Sequence, residues 1–318
     1  MRPLLALLLA ASSLAAADGL AAGGLLFSFF RNNGEDGLYL ATSQDGLKWT
    51  ELNGGKPLIK PEVGESKLMR DPSIVRGPDG TFQMVWTTAW EGRTIGHASS
   101  KDLIHWSAQQ AIEVFPAGTE VHNCWAPEIY YDAPAKEFLI VWASTIKGRF
   151  PETLGTGNRD LNHRLYATRT RDFRTFTPTK LFYDPGFIVI DAAIFPERLG
   201  GPARLAGSKR YAMVVKNETL KPEAKNLFLT FADSLNGPWT TPTEPISGKD
   251  WAEGPSPIRI GGEWIIYFDK YRNHRYGAVR SRDGKAWAGI TEQIVFPQGA
   301  RHGTAFRAPL DVINGLRR

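Results

Sequence analysis

ATSQDGLKW, at positions 41–49, recurs with substitutions four more times along this chain of 318 residues. The later copies are ASSKDLIHW (98–106), ATRTRDFRTF (167–176), FADSLNGPW (231–239) and AVRSRDGKAW (278–287). Each copy runs from a small residue through a polar turn to a closing aromatic residue, and successive closing aromatics are 57, 70, 63 and 48 residues apart. That spacing is typical of four-stranded propeller blades carrying loop insertions. The sequence therefore predicts an all-β protein folded as a five-bladed β-propeller.

A second pattern with the same period places a short strand at the start of each repeat. Its copies are DPSI at 71, WAPEI at 125, IDAAI at 190, EGPSPI at 253 and HGTAF at 302. Five unrelated hairpins are the alternative, because Asp-Gly and Asn-Gly turns are common in all-β proteins. Two patterns that share one period favour the propeller. Apolar runs at 82–88, 138–144, 211–217 and 264–270 further predict strands covered on both faces by neighbouring blades.

The two ends of the chain are predicted to share one blade. The first repeat contains FSFF (27–30), LYLAT (38–42) and the Trp49 segment but lacks an opening strand, whereas HGTAF has no strands after it. We expect the C-terminal strand to lie innermost, with the three N-terminal strands completing its sheet. Such pairing closes the ring and leaves only short sheet edges.

Residues 1–17 have the features of a secretory signal peptide. Arg2 precedes an apolar run at 4–11, and small residues at 15–17 precede Asp18. Residues 18–318 contain neither a linker-like stretch nor the roughly 20 apolar residues that a membrane-spanning helix needs. We therefore expect one propeller domain, 18–318, that is secreted or periplasmic and has no membrane partner.

Charge and cysteine content exclude other classes of protein. The chain has 38 Lys and Arg against 33 Asp and Glu, spread without a basic stripe, which argues against a nucleic-acid partner. Cys124 is the only cysteine and lies in an apolar stretch, so no intramolecular disulfide can form. It is predicted to be a buried structural thiol.

The opening strands carry the polar residues expected around the propeller axis. Alignment of these strands on Ile74, Ile194 and Ile258 places two carboxylates three residues before the anchor and one five before it. Side chains two apart on a strand share a face, so the alignment predicts that all three enter one pocket. Convergent carboxylates perturb one another's pKa values. The residues are Asp71, Asp191 and Glu253, with His302 on the fifth strand.

Such a set of acids suits the hydrolysis of glycosidic bonds, in which one carboxylate activates water and a protonated acid donates to the leaving oxygen. A third carboxylate can tune the acid. Each residue taken singly has an ordinary structural alternative: Asp71 as a turn residue, Asp191 at a strand edge and Glu253 in a loop. Their matching positions on three blades favour the catalytic interpretation.

At these residues the chain resembles glycoside hydrolase family 43, whose members are five-bladed propellers with four ordered motifs. The matching segments are Met69-Arg70-Asp71-Pro72-Ser73, Cys124-Trp125-Ala126-Pro127, Ile190-Asp191 and Ala252-Glu253-Gly254-Pro255. The resemblance implies an inverting O-glycosyl hydrolase with Asp71 as general base, Asp191 as pKa modulator and Glu253 as general acid. Ala192 departs from the proline common in the family at that position. The implied substrates are arabinofuranosyl, xylosyl or galactofuranosyl units of oligosaccharides or polysaccharides.

Further residues are candidates for binding the sugar. Trp125 is predicted either to form a stacking wall or to fill space between blades, and Trp90 and Trp86 are weaker candidates that could belong to the core. Arg301 could donate to the sugar or be a solvated loop charge. The resemblance implies a cation such as Ca²⁺ near the axis with His302 as its ligand, although no cofactor is required for the reaction. A hydrogen bond from His302 to Asp71 or to water is the alternative.

Two features of the sequence bear on alternative functions. The Ser-x-Asp-Gly-x-x-Trp copies resemble sialidase turns, but no opening strand carries the Arg-Ile-Pro signature of that family. A secreted glycan-binding propeller without turnover is the non-enzymatic alternative, and three retained carboxylates argue against it. Long insertions at 147–162 and 217–226 could wall off one end of a cleft, which favours exo action.

Overall fold

A computed structural model describes residues 23–196 and 209–317; the predicted signal peptide lies outside these ranges. Nineteen strands and one C-terminal helix, α1 (Leu310–Leu316), are assigned in them. The strands are β1 (Gly24–Phe29), β2 (Tyr39–Ser43), β3 (Thr50–Glu51), β4 (Arg70–Arg76), β5 (Phe82–Thr87), β6 (Thr94–Ser100), β7 (Gln110–Glu113), β8 (Trp125–Asp132), β9 (Glu137–Ser144), β10 (Arg164–Thr170), β11 (Lys180–Tyr183), β12 (Val189–Pro196), β13 (Tyr211–Asn217), β14 (Asn226–Ala232), β15 (Glu253–Ile260), β16 (Glu263–Lys270), β17 (Arg275–Ser281), β18 (Ala288–Gly289) and β19 (Ala305–Ala308).

The strands form five antiparallel sheets arranged as a five-bladed propeller, which confirms the predicted fold. From the axis outward, blade I is β19-β1-β2-β3, blade II β4-β5-β6-β7, blade III β8-β9-β10-β11, blade IV β12-β13-β14 and blade V β15-β16-β17-β18. Apolar residues of facing blades pack into clusters between the sheets. Within the described ranges, no helix is long and apolar enough to cross a membrane.

Blade IV differs from the four-stranded prediction, because its described part has three regular strands. Segment 240–246 runs along the outer edge of β14 instead. The main-chain N–H groups of Thr240, Thr243 and Ile246 donate to carbonyl groups of that strand at 2.8, 2.9 and 2.8 Å. The edge is thus covered by a segment that pairs too intermittently to form a strand.

The predicted closure of the ring by the two chain ends is confirmed. Strand β1 pairs antiparallel with β19 from Gly24↔Ala308 to Phe27↔Ala305, and β19 is innermost in blade I. The Ser28 hydroxyl adds a link to a different blade, since it donates to the Pro72 carbonyl of blade II at 2.6 Å. The N-terminal and C-terminal strands therefore hold blade I together, and Ser28 joins it to blade II.

The repeated polar pattern forms the same turn in several blades. In the first copy the Ser43 hydroxyl accepts the N–H of Gly46 at 2.9 Å, and Asp45 Oδ1 accepts those of Leu47 and Lys48 at 2.7 and 3.0 Å. Asp102, Asp172 and Asp283 make the equivalent pairs of bonds. These side chains satisfy main-chain donors at the turns, a common use of Ser, Thr and Asp.

Four inner strands begin with a one-residue bulge, which the sequence analysis did not anticipate. Strands β4, β8, β12 and β15 each lose register near their first residues. The residues with positive φ at these bulges are Asp71 (52°), Ala126 (47°), Asp191 (49°) and Gly254 (59°). A bulge re-aims the adjacent side chains.

The bulges correct the predicted register. By strand pairing, Ile74 corresponds to Pro257, and Ile258 is one residue further along. Asp71 and Asp191 are equivalent bulge residues, but Glu253 occupies the position before the bulge. An inserted residue breaks the two-residue period of a strand. The predicted alternation of side chains therefore does not explain why the three carboxylates lie together.

Candidate active site

A cavity of about 310 Å³ opens where the bulged ends of the inner strands meet. Of the eight residues that the sequence predicts as candidates, Trp86 does not line this cavity and the other seven do. They are Asp71, Trp90, Trp125, Asp191, Glu253, Arg301 and His302. Residues from four blades and from the segment leading into β19 thus line one pocket.

Asp71 is held by two hydrogen bonds, one on each carboxylate oxygen. His302 Nδ1 lies 3.2 Å from Oδ1, and the Thr87 hydroxyl donates to Oδ2 at 2.7 Å. Burial acts to raise the pKa of Asp71, but the His302 charge and hydrogen bond, with Arg70 and Thr87, outweigh it and lower the pKa to about 2. The carboxylate is therefore ionised at neutral pH and available to accept a proton.

Asp191 is in a different electrostatic state. Its side chain is buried, and Oδ2 accepts the main-chain N–H of Gly254 at 3.0 Å. Burial and the neighbouring charges of Glu253 and Asp71 raise the pKa of Asp191 to about 6, despite opposition from His302 and Lys216. The two aspartates thus have pKa values displaced in opposite directions, as convergence of the acids predicts.

Glu253 is placed between two cations. Lys216 Nζ lies 3.1 Å from Oε2, and Arg301 Nη2 lies 3.4 Å from Oε1. Each cation is closer to a second carboxylate: Lys216 to Glu218 at 2.7 Å and Arg301 to Asp269 at 2.6 Å. Arg301 is consequently not a solvated loop charge, because it spans two buried or half-buried acids.

His302 contacts Asp71, which agrees with the predicted hydrogen bond between these two residues. The nitrogen that meets Asp71 is also 3.9 Å from Asp191 Oδ2. Its interactions with both aspartates outweigh the effect of burial and raise the pKa of His302 to about 9. Among residues 23–196 and 209–317, no group of three His, Cys, Asp or Glu could hold an ion. These residues do not fit a cation bound directly by protein ligands.

Aromatic residues form another part of the cavity wall. Trp90 is 49% exposed, so it does not belong to the core, whereas Trp86 is completely buried there. The indole N–H of Trp125 donates to the Trp90 carbonyl at 2.8 Å, and the two rings meet edge to face. Behind Trp125 lies the His163 ring, with centroids 4.8 Å apart. The wall is open to solvent at Trp90 and enclosed at His163.

Several pocket residues were not selected from the sequence. Arg70, Thr87, His163 and Lys216 all line the cavity. Arg70 could have been found by its position, since it precedes the bulge of its strand as Trp125 and Glu253 precede theirs. Thr87 and Lys216 lie on second strands and His163 directly precedes a third strand, where an isolated polar residue carries no signal of its own.

Cys124 is buried, as expected, and receives a weak hydrogen bond from the Ser144 hydroxyl at 3.6 Å. Burial raises the pKa of the thiol to about 12. The thiolate required of a nucleophile is therefore scarce at neutral pH.

Comparisons with solved structures support the fold. An α-L-arabinofuranosidase from Lactobacillus brevis superposes with a TM-score of 0.52 at 19% identity, covering 70% of this chain and 72% of that one. A thermostable family-43 glycoside hydrolase gives 0.54 at 14%, covering 74% and 78%. An exo-β-1,3-galactanase from Phanerochaete chrysosporium, solved with β-1,3-galactotriose, gives 0.51 at 12%, covering 70% and 49%. At these identities the likeness concerns the propeller fold alone.

Sequence comparison extends the relationship. Over 254 residues the chain is 26% identical to α-L-arabinofuranosidase C of Cellvibrio japonicus (strain Ueda107), a match that covers 66% of this chain but 40% of that protein. Residues 21–308 match the profile of a family related to glycoside hydrolase family 43 and described as "probable glycosyl hydrolase domain". Because that match spans nearly the whole propeller, the chain belongs to the family 43-related glycosyl hydrolases.

Proposed function

We propose that the protein is an inverting glycoside hydrolase that degrades oligosaccharides or polysaccharides from their ends. The observation that carries this proposal is the single pocket containing Asp71, Asp191 and Glu253. Family membership and the names of the related proteins point to the same class of reaction. Arabinofuranosyl, xylosyl and galactofuranosyl units are the proposed targets.

In this proposal Asp71 is the general base. Ionised and held by His302 and Thr87, it takes a proton from a water molecule that attacks the anomeric carbon. Glu253 gives its proton to the leaving oxygen on the other side of the sugar. Asp191 lies against His302 and Gly254. Its charge modulates the pKa values of the base and the acid.

Exo action is supported by the size of the pocket. A cavity of about 310 Å³ lies near the lower limit of small-molecule sites. It suits one sugar ring better than the several rings that an endo-acting cleft must hold. Release of monosaccharide from the first turnover onward is the expected pattern.

A screen of nitrophenyl α-L-arabinofuranoside, β-D-xyloside and β-D-galactofuranoside, combined with proton NMR of the first product, tests the proposal. Inversion requires the anomer opposite to the substrate's to appear before mutarotation, since base and acid would then be about 6.5 to 9.5 Å apart with water between them. A retained configuration would remove Asp71 from its role as base. Asp71→Asn should lower every rate about 10²- to 10⁴-fold while leaving the fold intact.

We also propose that hydrolysis needs no divalent cation. The imidazole of His302 is occupied with Asp71, and the described residues lack a ligand set. Prolonged treatment with EDTA should therefore leave the rate unchanged. A loss that Ca²⁺ restores would contradict this.

We propose that residues 1–17 direct the export of the protein. Cleavage before Asp18 should give an exported product whose N-terminal peptide, identified by mass spectrometry, begins at that residue. An intact Met1 on exported protein would contradict the assignment of 1–17 as a signal peptide.

A further inference from the structure

Arg70 is an arginine in the pocket wall whose hydrogen-bonding capacity is only partly used. It is 9% exposed and lines the cavity. Its Nη1 donates to the main-chain oxygen and Oδ1 of Asn33 at 3.3 and 3.1 Å. Among residues 23–196 and 209–317, no acceptor bonds to Nε or Nη2, and no carboxylate forms an ion pair with the guanidinium.

Aromatic rings hold this guanidinium in place. Its central carbon lies 4.2 Å from the Trp90 ring centroid and 4.7 Å from that of Phe30. Asn33 Oδ1 also accepts the Trp90 indole N–H at 2.8 Å, so one amide oxygen fixes both side chains. Contacts with rings cover faces of a planar group and leave its N–H edge as the part that can bind a partner.

The position of Arg70 in its strand adds an independent argument. In β4, β8, β12 and β15 the residue before the bulge lines the cavity. Those residues are Arg70, Trp125, Ile190 and Glu253. Arg70 therefore occupies the same place relative to the axis as the proposed acid, although its neighbour Asp71 is the residue that the motif draws attention to.

Burial of a charged group with unused donors is costly unless a ligand uses them. The charge of Arg70 lowers the pKa of the nearby Asp71. The Asp71 carboxylate thus offsets the charge of the guanidinium, but it accepts none of the guanidinium's hydrogen bonds. A sugar ring bound in the cavity, which Arg70 and Trp90 both line, would bring hydroxyl oxygens to the free edge. Two adjacent donors match two adjacent hydroxyl oxygens.

We propose that Arg70 is a substrate-binding residue whose Nε and Nη2 donate to a pair of hydroxyl oxygens on a sugar bound in this cavity. The inference rests on the proposed function in that it assigns the pocket to a neutral sugar. Asn33 acts through Arg70 and Trp90 and is a positioning residue. Sugar specificity then depends on where the ring presents adjacent hydroxyl groups to this edge.

Binding of the free monosaccharides L-arabinose, D-xylose and D-galactose tests the proposal without requiring turnover. Titrations followed by the indole N–H signals in NMR give the Kd, and a Trp90→Phe variant assigns the Trp90 signal. Arg70→Met should weaken binding of the tightest sugar about 10- to 100-fold, because a hydrogen bond to a charged donor is lost. Arg70→Lys keeps the positive charge but loses the two adjacent donors of the guanidinium, so its Kd should lie between those of Arg70→Met and the unaltered protein.

Arg76→Met is the matched control. Arg76 is at the other end of the same strand and does not line the cavity, and within residues 23–196 and 209–317 its side chain donates to the Gly80 carbonyl alone. Its substitution should leave the Kd within about 2-fold, the scale of a surface change without a ligand contact. Should Arg70→Met fail to fold, as judged by circular dichroism, Arg70→Lys and Asn33→Ala carry the same test.

Unchanged affinity in a folded Arg70 variant would overturn the proposal, as would the absence of binding by all three sugars. Tighter binding of D-glucuronate than of these sugars would replace the hydroxyl pair by a carboxylate and also overturn it. Sugar binding that depends on Arg70, in a protein that hydrolyses none of the nitrophenyl glycosides, would leave this inference standing and contradict the proposed function alone.

Discussion

Asp71, Ala126 and Asp191 have positive φ angles, which side-chain-bearing L-residues rarely adopt. These three strained residues lie at the pocket, where the bulges aim Asp71 and Asp191 toward His302. Strained backbone at functional sites persists when the surrounding contacts over-determine it. Here the contacts are specific: Thr87 fixes Asp71, and the main chain of Gly254 fixes Asp191.

Glu253→Gln should separate substrates by the quality of their leaving group. A glutamine cannot donate the proton that a sugar leaving group needs, whereas nitrophenolate departs without one. We expect turnover of natural linkages to fall about 10²- to 10⁴-fold and that of nitrophenyl glycosides to be largely spared. Parallel kcat measurements on both classes check this, and equal losses would remove the acid role from Glu253.

Thr87→Val should lower kcat on the order of 10- to 100-fold with little change in KM. The Thr87 hydroxyl accepts the N–H of Ala126 at 2.8 Å, which leaves its own proton to be donated to Asp71. Valine has nearly the same shape but no hydroxyl. Thr87→Ser restores the donor and should recover most of the rate; failure of serine to do so would argue that packing, and not the hydrogen bond, explains the loss.

At the scale of strands, paired aromatic and glycine residues set how closely neighbouring strands approach. Trp86 on β5 faces Gly96 on β6, and Phe268 on β16 faces Gly277 on β17. A Cβ on Gly96 would lie 2.0 Å from Trp86, and one on Gly277 would lie 2.4 Å from Phe268. The absent side chain is therefore what gives each ring its space.

Gly96→Ala should destabilise the protein by about 1–3 kcal/mol, the usual cost of overpacking a core. Trp86 is fully buried and has no room to withdraw. Thermal unfolding monitored by circular dichroism measures the change, with Ser99→Ala on the same strand as the control. A Tm equal to that of the unaltered protein would mean that the ring moves without cost.

The propeller could be predicted because its signals repeat. The turn that begins at Ser43 recurs with the same bonds in other blades, and the apolar second strands lie at the predicted positions. The bulges could not be predicted, because the sequence Arg70-Asp71-Pro72 gives no indication that this strand contains one more residue than its partner. Lys216 and Thr87 were missed for a related reason: they reach the pocket from second strands that otherwise read as ordinary apolar core.

For the molecule as a whole, polar groups near the axis join inner strands of different blades. The Ser73 hydroxyl accepts the N–H of Ile129 at 3.2 Å, and that of Ser256 accepts the N–H of Ala305 at 2.7 Å. Glu128 interacts with Ser73 and with Thr304, which belong to blades II and I. Burial raises the pKa of Glu128 to about 7, although both hydroxyls and His302 oppose it.

Glu128→Gln should therefore stabilise the protein at high pH but not at low pH. An acid whose pKa is raised on folding binds more protons in the folded state than in the unfolded state between pH 4.5 and about 7, so stability falls as the pH rises through that window. Above pH 7 the full cost of ionising Glu128 is present, and glutamine removes it. We expect a Tm gain of a few degrees at pH 8, on the order of 2–4 °C per kcal/mol, and none at pH 4.

Surface-exposed Glu62, substituted by glutamine, is the control for this comparison. The difference in Tm between Glu128→Gln and the unaltered protein should grow with pH, whereas that for Glu62→Gln should stay flat. A constant difference across pH 4 to 8 would mean that Glu128 keeps one charge state throughout.

Closure of blade I by β1 and β19 also determines when the protein becomes competent during its synthesis. Arg301 and His302, which contact Glu253 and Asp71, are made after every strand of blades II to V. A nascent chain that has not been extended as far as Arg301 has neither residue in place and lacks the innermost strand of its first blade. Products that end before Arg301 should therefore be inactive, and the pocket is complete only after this segment has been made.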